Sequence, residues 1–301
     1  MELTLFGVIT IAVSIYAFFK NKKLLLYMVV FLSTFTAAEI LHINITTTPL
    51  QTFEFTGMMW LLREFIDFIK AKPKISKEKI IEGLKKNKLG SAFIMFIIAI
   101  LLGEIYLLVS RISVPYTDIF GEPALLKFSM SNITQCIIII FVFVMMTVLS
   151  FKIKTKEEVK ELLKVFCISS IFAVVWGLLQ FITFYFGIPY PAFLFNNNPY
   201  AAQGFEQISN NIKRICSIAL EPSTFAVNLV CFLPFLIGTF LSLKNKFKDK
   251  KYILTFVLLV ITTACAILST SSTTYVGLIA IYGLFGIYIL FSFIKNRNII
   301  K

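Results

Sequence analysis

The stretch Ile133–Phe151, ITQCIIIIFVFVMMTVLSF, decides the fold class, because none of its nineteen side chains is charged. A helix rises about 1.5 Å per residue, so roughly twenty apolar residues cross a hydrocarbon core of about 30 Å. Stretches of this kind recur from one end of the chain to the other. Nine can be distinguished: Leu3–Phe19, Leu24–Ile43, Phe53–Ile69, Ser91–Val109, Ile133–Phe151, Leu162–Phe186, Thr224–Leu243, Tyr252–Leu268 and Tyr275–Ile294. The third is the weakest, since it holds Glu54, Arg63, Glu64 and Asp67. The short alternating segments of a membrane barrel do not occur. With 58% apolar and only 15% charged residues, the expectation is an all-α, polytopic transmembrane bundle of about nine spans, one integral membrane domain over residues 1–301.

A net charge of +13 would fit a nucleic-acid binder, but the cations are placed otherwise. Residues 20–23, 70–88, 152–164, 244–251 and 295–301 hold 24 of the 29 lysines and arginines, and these segments alternate along the chain. The other connections hold only Arg111, Lys127, Lys213 and Arg214, while Arg63 lies within a run. The positive-inside rule produces this asymmetry. It sets the basic loops 70–88, 152–161 and 244–251 in the cytoplasm, the N-terminus outside and the C-terminus inside. Anionic lipid headgroups then suffice as partners for the lysines, and nucleic acid is not expected. Met1-Glu2 has no basic region before the first apolar run, whose cations follow at Lys20, Lys22 and Lys23, so an inserted helix is expected rather than a cleaved signal peptide.

Two outer loops remain, 110–132 and 187–223. The first contains Arg111, Asp118 and the turn Gly121-Glu122-Pro123; the second opens GIPYPAFLFNNNPYAAQGF, whose prolines and asparagines favour irregular turns. Its aromatic residues Tyr190, Phe193, Phe195, Tyr200 and Phe205 suit an interfacial belt or sugar faces. Several chemistries are disfavoured. The five cysteines are scattered singly, as small packing residues rather than a disulfide or zinc set. With His42 the single histidine, a Ser-His-Asp triad or His-based metal cluster is not expected. Neither a D-x-D pair nor a GxxxxGK[ST] loop occurs. No cofactor or metal is expected.

Polar residues inside apolar runs are costly and invite functional readings. Glu39 and Glu104 lie one to two turns inside the expected outer boundary, and in a helix Glu39 would share a face with His42. Both are candidate cavity-lining, substrate-binding residues. Arg63 and Asp67 read as a snorkelling pair. The segment Lys213–Ser223 places two cations and a carboxylate at the mouth of a span. A pocket for an anionic, membrane-borne substrate needs such groups; equally, Lys213 and Arg214 can solvate a loop while Glu221 caps a helix before Pro222.

The junction RICSIALEPSTFAVNLV (Arg214–Val230), preceded by GLLQFITFYFGIP (Gly177–Pro189), resembles the signature of the O-antigen ligase/polymerase family of bacterial membrane glycosyltransferases. In that family an outer-loop arginine is followed by Glu-Pro-Ser/Asn entering the next span. A later turn of the type T-x-S-R/T-x-G-x-x-x-L is matched by ILSTSSTTYVGLIAI (Ile267–Ile281). The resemblance covers roughly residues 160–290. It departs in two places: the turn has no arginine, and the apolar runs stop at nine where family members continue, as in a fragment or a C-terminally incomplete member, whose activity would depend on the missing part. The resemblance implies transfer of an undecaprenyl-pyrophosphate-linked glycan to an acceptor glycan or lipid, without metal, on the outer face of a bacterial cytoplasmic membrane. Arg214 and Glu221 would be catalytic, the first steadying the leaving pyrophosphate and the second serving as base. Lys213, Arg111, Ser223, Ser271 and Ser272 would bind substrate, although the Ser269–Thr274 hydroxyls also suit turn and cap roles. A transporter or flippase for a lipid-linked or anionic solute is the alternative. It is disfavoured because no internal repeat is visible and the polar residues gather toward the outer boundary rather than mid-membrane.

Overall fold

The computed structural model describes residues 2–42, 49–72, 77–110, 113–117, 123–126, 128–198, 207–209, 212–243 and 250–297. Among these, eleven helices carry the fold: α1 (Leu5–Lys20), α2 (Lys22–Leu32), α3 (Thr52–Ala71), α4 (Lys77–Lys86), α5 (Lys88–Ser110), α6 (Met130–Lys152), α7 (Lys156–Phe186), α8 (Ala192–Phe195), α9 (Pro222–Ser242), α10 (Lys250–Leu268) and α11 (Ser272–Arg297). Six of them, α5, α6, α7, α9, α10 and α11, contain stretches long and apolar enough to cross a membrane. The chain is a multi-pass helical membrane protein. α1 is apolar but shorter, and α3 keeps a spanning length while carrying Glu54, Arg63, Glu64, Asp67 and Lys70. Arg63 and Asp67 do pair, with 3.4 Å between Nε and Oδ1.

The chain divides into two compact units, Met1–Ile43 with Pro49–Met59 and Glu161–Lys301, and Asn44–Thr48 with Trp60–Lys160. In the smaller unit α5 and α6 pair side by side, with Gly90 backed against Phe151 and Ser150. The Asn87 amide N–H groups donate to the Ser150 carbonyl and hydroxyl at 3.0 and 3.2 Å. β4 (Val114–Thr117) and β5 (Pro123–Leu126) form a hairpin, Val114 opposite Leu126 and Thr117 opposite Pro123.

In the larger unit, α1 ends and α2 begins on one residue. Asn21 donates its N–H to Ala17 and accepts the Leu24 N–H on its side chain at 3.0 Å. The expected span Leu24–Ile43 is not one helix, because α2 stops at Leu32 after 11 residues. Ser33, Thr34 and Thr36 follow, and the first two turn their hydroxyls back onto the Val30 and Phe31 carbonyls. Such side chains offer the backbone an alternative to the helix ladder. The rest of that apolar run becomes β2 (Glu39–His42), central in a three-stranded antiparallel sheet between β1 (Glu2–Leu3) and β3 (Leu50–Gln51). Glu39 and His42 lie on a strand and therefore do not share a helix face.

The main core of this unit gathers Leu32, Phe35, Ala173, Val174, Phe225, Leu229, Cys265 and Ala266 around a non-helical piece, Ile215–Ala219. Phe195 stacks edge-on against Phe6, Phe35, Phe172 and Trp176 within this core, so it is neither a belt anchor nor a sugar platform, whereas Phe193 is exposed.

Candidate functional site

Segment 214–221, between the hairpin of β6 (Ile208–Ser209) and β7 (Ile212–Lys213) and the start of α9, carries no regular structure, yet Ile215 to Ala219 are fully buried. Irregular backbone inside a membrane protein persists only where its polar groups are satisfied. Here the partners come from five separate places. The Arg214 N–H donates to the Gln207 carbonyl and the Ile215 N–H to the Leu268 carbonyl. The N–H groups of Cys216 and Ser217 both donate to the Gln180 side-chain oxygen, at 2.9 and 2.7 Å. The Ser217 hydroxyl donates to the Ala173 carbonyl at 2.6 Å, and the Ser217 carbonyl accepts from the Asn196 amide at 2.7 Å. The Ile218 carbonyl accepts from the Ala37 N–H, and the Leu220 N–H donates to the Thr36 hydroxyl at 2.9 Å.

This segment holds the two groups of interest at its ends. Arg214 is half-buried; its Nε donates to the Ser269 carbonyl at 3.0 Å and its terminal nitrogen to Gln207 Oε1 at 2.7 Å. The turn between α10 and α11 is thereby tied to the loop before α9. Glu221 occupies the N-cap position of α9 with extended backbone, and Pro222 takes the first helical position. Its carboxylate makes no capping hydrogen bond; it is exposed and accepts from the Ser223 hydroxyl at 3.0 Å. The capping alternative for Glu221 therefore accounts for its position but not for its side chain.

Two residues at this junction sit in the left-handed region without being glycine, Ser217 at φ 55° and Thr270 at φ 47°. A β-branched residue there is an outlier, and each such residue costs about 1–3 kcal/mol. Thr270 follows the α10 terminus, where glycine ordinarily turns the chain. Strain of this kind is retained where surrounding contacts over-determine it. Burial drives the Cys216 thiol up to about 11 and raises the Tyr190 phenol as well; the Tyr190 hydroxyl donates to Asn196 Oδ1 at 2.9 Å.

The remaining expectations sort by place. Lys213 is exposed, its ammonium 5.5 Å from the Phe184 ring centre, a cation–π geometry. Ser271 is buried and Ser272 exposed at the start of α11; Ser269 is buried, bonded to the Ala266 carbonyl and the Thr274 hydroxyl, which is a turn role. Glu39 is buried; its backbone N–H donates to Asn197 Oδ1 at 2.9 Å and its carbonyl accepts from the Thr4 hydroxyl at 2.6 Å. Glu104 lies on α5, in the other unit. Arg111 lies outside the described residues, as does Asp118. An apolar groove of about 320 Å³ between α9 and α11, lined by Pro234, Ile237, Leu241, Ile281 and Tyr288 among others, lies farther along both helices from Arg214. Among the described residues no cluster of three or more histidine, cysteine, aspartate or glutamate side chains has the geometry to hold a metal. Comparison with protein-family models, with curated proteins and with solved structures finds no match for this chain.

Four side chains that bond this assembly were not singled out as site residues in the sequence: Thr36, Gln180, Asn196 and Gln207. Gln180 carried a usable signal, being a lone amide within the apolar run Leu162–Phe186.

Proposed function

We propose that this chain is an outer-face glycosyltransferase that polymerises or ligates polysaccharide repeat units linked to a lipid pyrophosphate, in the cytoplasmic membrane of a bacterium. The observation that supports this most is the buried, non-helical segment 214–221, braced against the Ser269–Ser272 turn through Arg214, with Glu221 exposed at its other end. In this reading the acceptor hydroxyl attacks the anomeric carbon, and Glu221 takes its proton as the new glycosidic bond forms. The bond from that carbon to the pyrophosphate oxygen breaks, and the lipid pyrophosphate leaves with the electron pair. Two of Arg214's donors are engaged with Ser269 and Gln207. A guanidinium held in this way offers its remaining N–H groups to the developing charge without reorganising, and these suit phosphate oxygens. Lys213 adds a second cation. The proposal includes an N-terminus outside and a C-terminus in the cytoplasm.

Exchange of Glu221 for glutamine tests the assignment. It keeps the shape and the helix entry while removing the base. The expected result is accumulation of single lipid-linked units on the outer leaflet with no longer chains. Units trapped on the inner leaflet would identify a flippase instead, and unchanged chain length at normal expression would sink the catalytic role. Cysteine labelling tests the orientation: Lys213→Cys should react from outside, and Lys85→Cys only after permeabilisation. Both positions are exposed, whereas Asn196 and Asn198 are buried and unsuited to such labelling.

A further inference from the structure

We infer that Gln180 is a positioning residue of this site, the side chain that holds the turn at Cys216 and Ser217 and through it the placement of Arg214 and Glu221. Gln180 is fully buried on α7. Its side-chain oxygen takes two consecutive backbone N–H groups, from Cys216 and Ser217, and its amide nitrogen donates to Cys216 Sγ at 3.4 Å. Both backbone donors belong to the stretch where the chain adopts its left-handed turn at Ser217. In an α-helix residues four and seven apart lie on one face, so Ala173, Gly177 and Gln180 form a continuous bed. Each meets Ser217: Ala173 through its carbonyl, Gly177 by close approach, and Gln180 through its oxygen. A Cβ on Gly177 would stand 2.9 Å from the Phe225 ring and in ordinary contact with Ser217 Cβ at 3.4 Å, so the absent side chain makes room for Phe225 of α9 beside this bed.

The chemistry of the amide explains the choice. Two adjacent N–H groups pointing one way need one acceptor with two lone pairs, which a carboxamide oxygen supplies without introducing a buried charge. An apolar residue there would leave two buried donors unpaired, and the loop could satisfy them only by moving toward water. The position of the loop rests on this geometry alone; its consequence for activity rests on the proposed glycosyltransferase function.

Cys216 is a reporter for the loop, because it bonds Gln180 and is fully buried. In the full-length chain, with the other four cysteines replaced by alanine, N-ethylmaleimide should react slowly with Cys216. Gln180→Met keeps the length and removes the acceptor. It should speed the reaction about tenfold or more, as expected for loss of a buried hydrogen bond from a local opening equilibrium. Gln180→Glu, which keeps an acceptor oxygen, should restore protection. A parallel chain with Cys265 alone, buried on α10, should stay protected in Gln180→Met. Unchanged protection of Cys216 in Gln180→Met would overturn the inference. So would exposure of Cys216 and Cys265 together, which would make Gln180 a prop of the whole unit rather than of the loop. Release of Cys216 without loss of glycan extension would leave the positioning role intact and remove the catalytic reading of Arg214 and Glu221.

Discussion

The helix pair α5–α6 and the helices α7 and α9 are all apolar enough to cross a membrane, yet they cover themselves very differently. Over their most apolar windows α5 and α6 bury 0% and 6% within the protein, while α7 and α9 bury 33% and 39%. The first pair consists of side chains that lipid solvates as well as protein does, joined where Gly90 and Asn87 meet Ser150. The second pair surrounds a piece of chain that lipid cannot solvate. Among apolar helices, then, burial is set by the polar backbone they must enclose, and less by their own hydrophobicity. A site is to be sought where burial exceeds what hydropathy requires.

The sharpest way to break this contrast is to exchange arginine for lysine in each unit. Arg214→Lys should lower glycan extension by about 10²–10³-fold, since a point charge cannot serve Ser269 and Gln207 together and keep a fork for phosphate. Arg63→Lys, in the other unit, should leave extension near the unaltered rate. Equal losses in the two variants would remove the distinction. The next largest effect is on stability. Gly177→Ala should cost about 1–3 kcal/mol, because the Phe225 ring must shift. Gly103→Ala on α5 meets nothing within 4 Å and should be neutral or stabilising by up to about 1 kcal/mol. Thermal unfolding in detergent compares them.

A smaller change should move stability and activity in opposite directions. Thr270→Gly relieves a left-handed threonine and should raise stability by about 1 kcal/mol while slowing extension, because the Ser269 carbonyl that holds Arg214 is loosened. Gains in both would show that the strain has no function. The smallest effect belongs to Lys23, exposed beside Glu161 at 2.6 Å. Its hydrogen bonds to Glu161 and then Tyr27 raise its pKa above the ordinary 10.5. That contribution is complete below pH 10.5 and is lost as pH rises through the higher folded value. Melting curves at alkaline pH should show a slight loss that added salt diminishes.

The long helices were legible because twenty uncharged residues have few alternatives in a membrane. Leu24–Ile43 was not, since apolar content is the same whether a segment is one helix or a half-helix followed by a strand. What stops α2 is the Ser33-Thr34 pair and the partners waiting for Thr36 and Ala37, and those partners are far away in sequence. That Arg214 meets the Ser269–Ser272 turn was not legible either, because a contact across 55 residues leaves no local pattern. Gln180 stayed hidden because an amide in an apolar run signals that something is bonded, but not what. Glu221 was readable as a helix entry, while the freedom of its carboxylate from capping required the backbone geometry.

The bonds from Ala37 to Ile218 and from Leu220 to Thr36 also have a consequence for biogenesis. Thr36 and Leu220 are separated by 184 residues, so at synthesis rates of about 5–20 residues per second the earlier strip waits about 10–40 s for its partner. During that interval the Ala37 N–H and carbonyl and the Glu39 N–H have left the ribosome without the partners they bond in the folded chain, Ile218, Asn198 and Asn197. The first forty residues must therefore linger in a hydrated insertion channel, or against a membrane chaperone, until α7 and the loop before α9 arrive. Slowing translation between α7 and α9 should then prolong protease sensitivity at the N-terminal end of the nascent chain, far upstream of the pause.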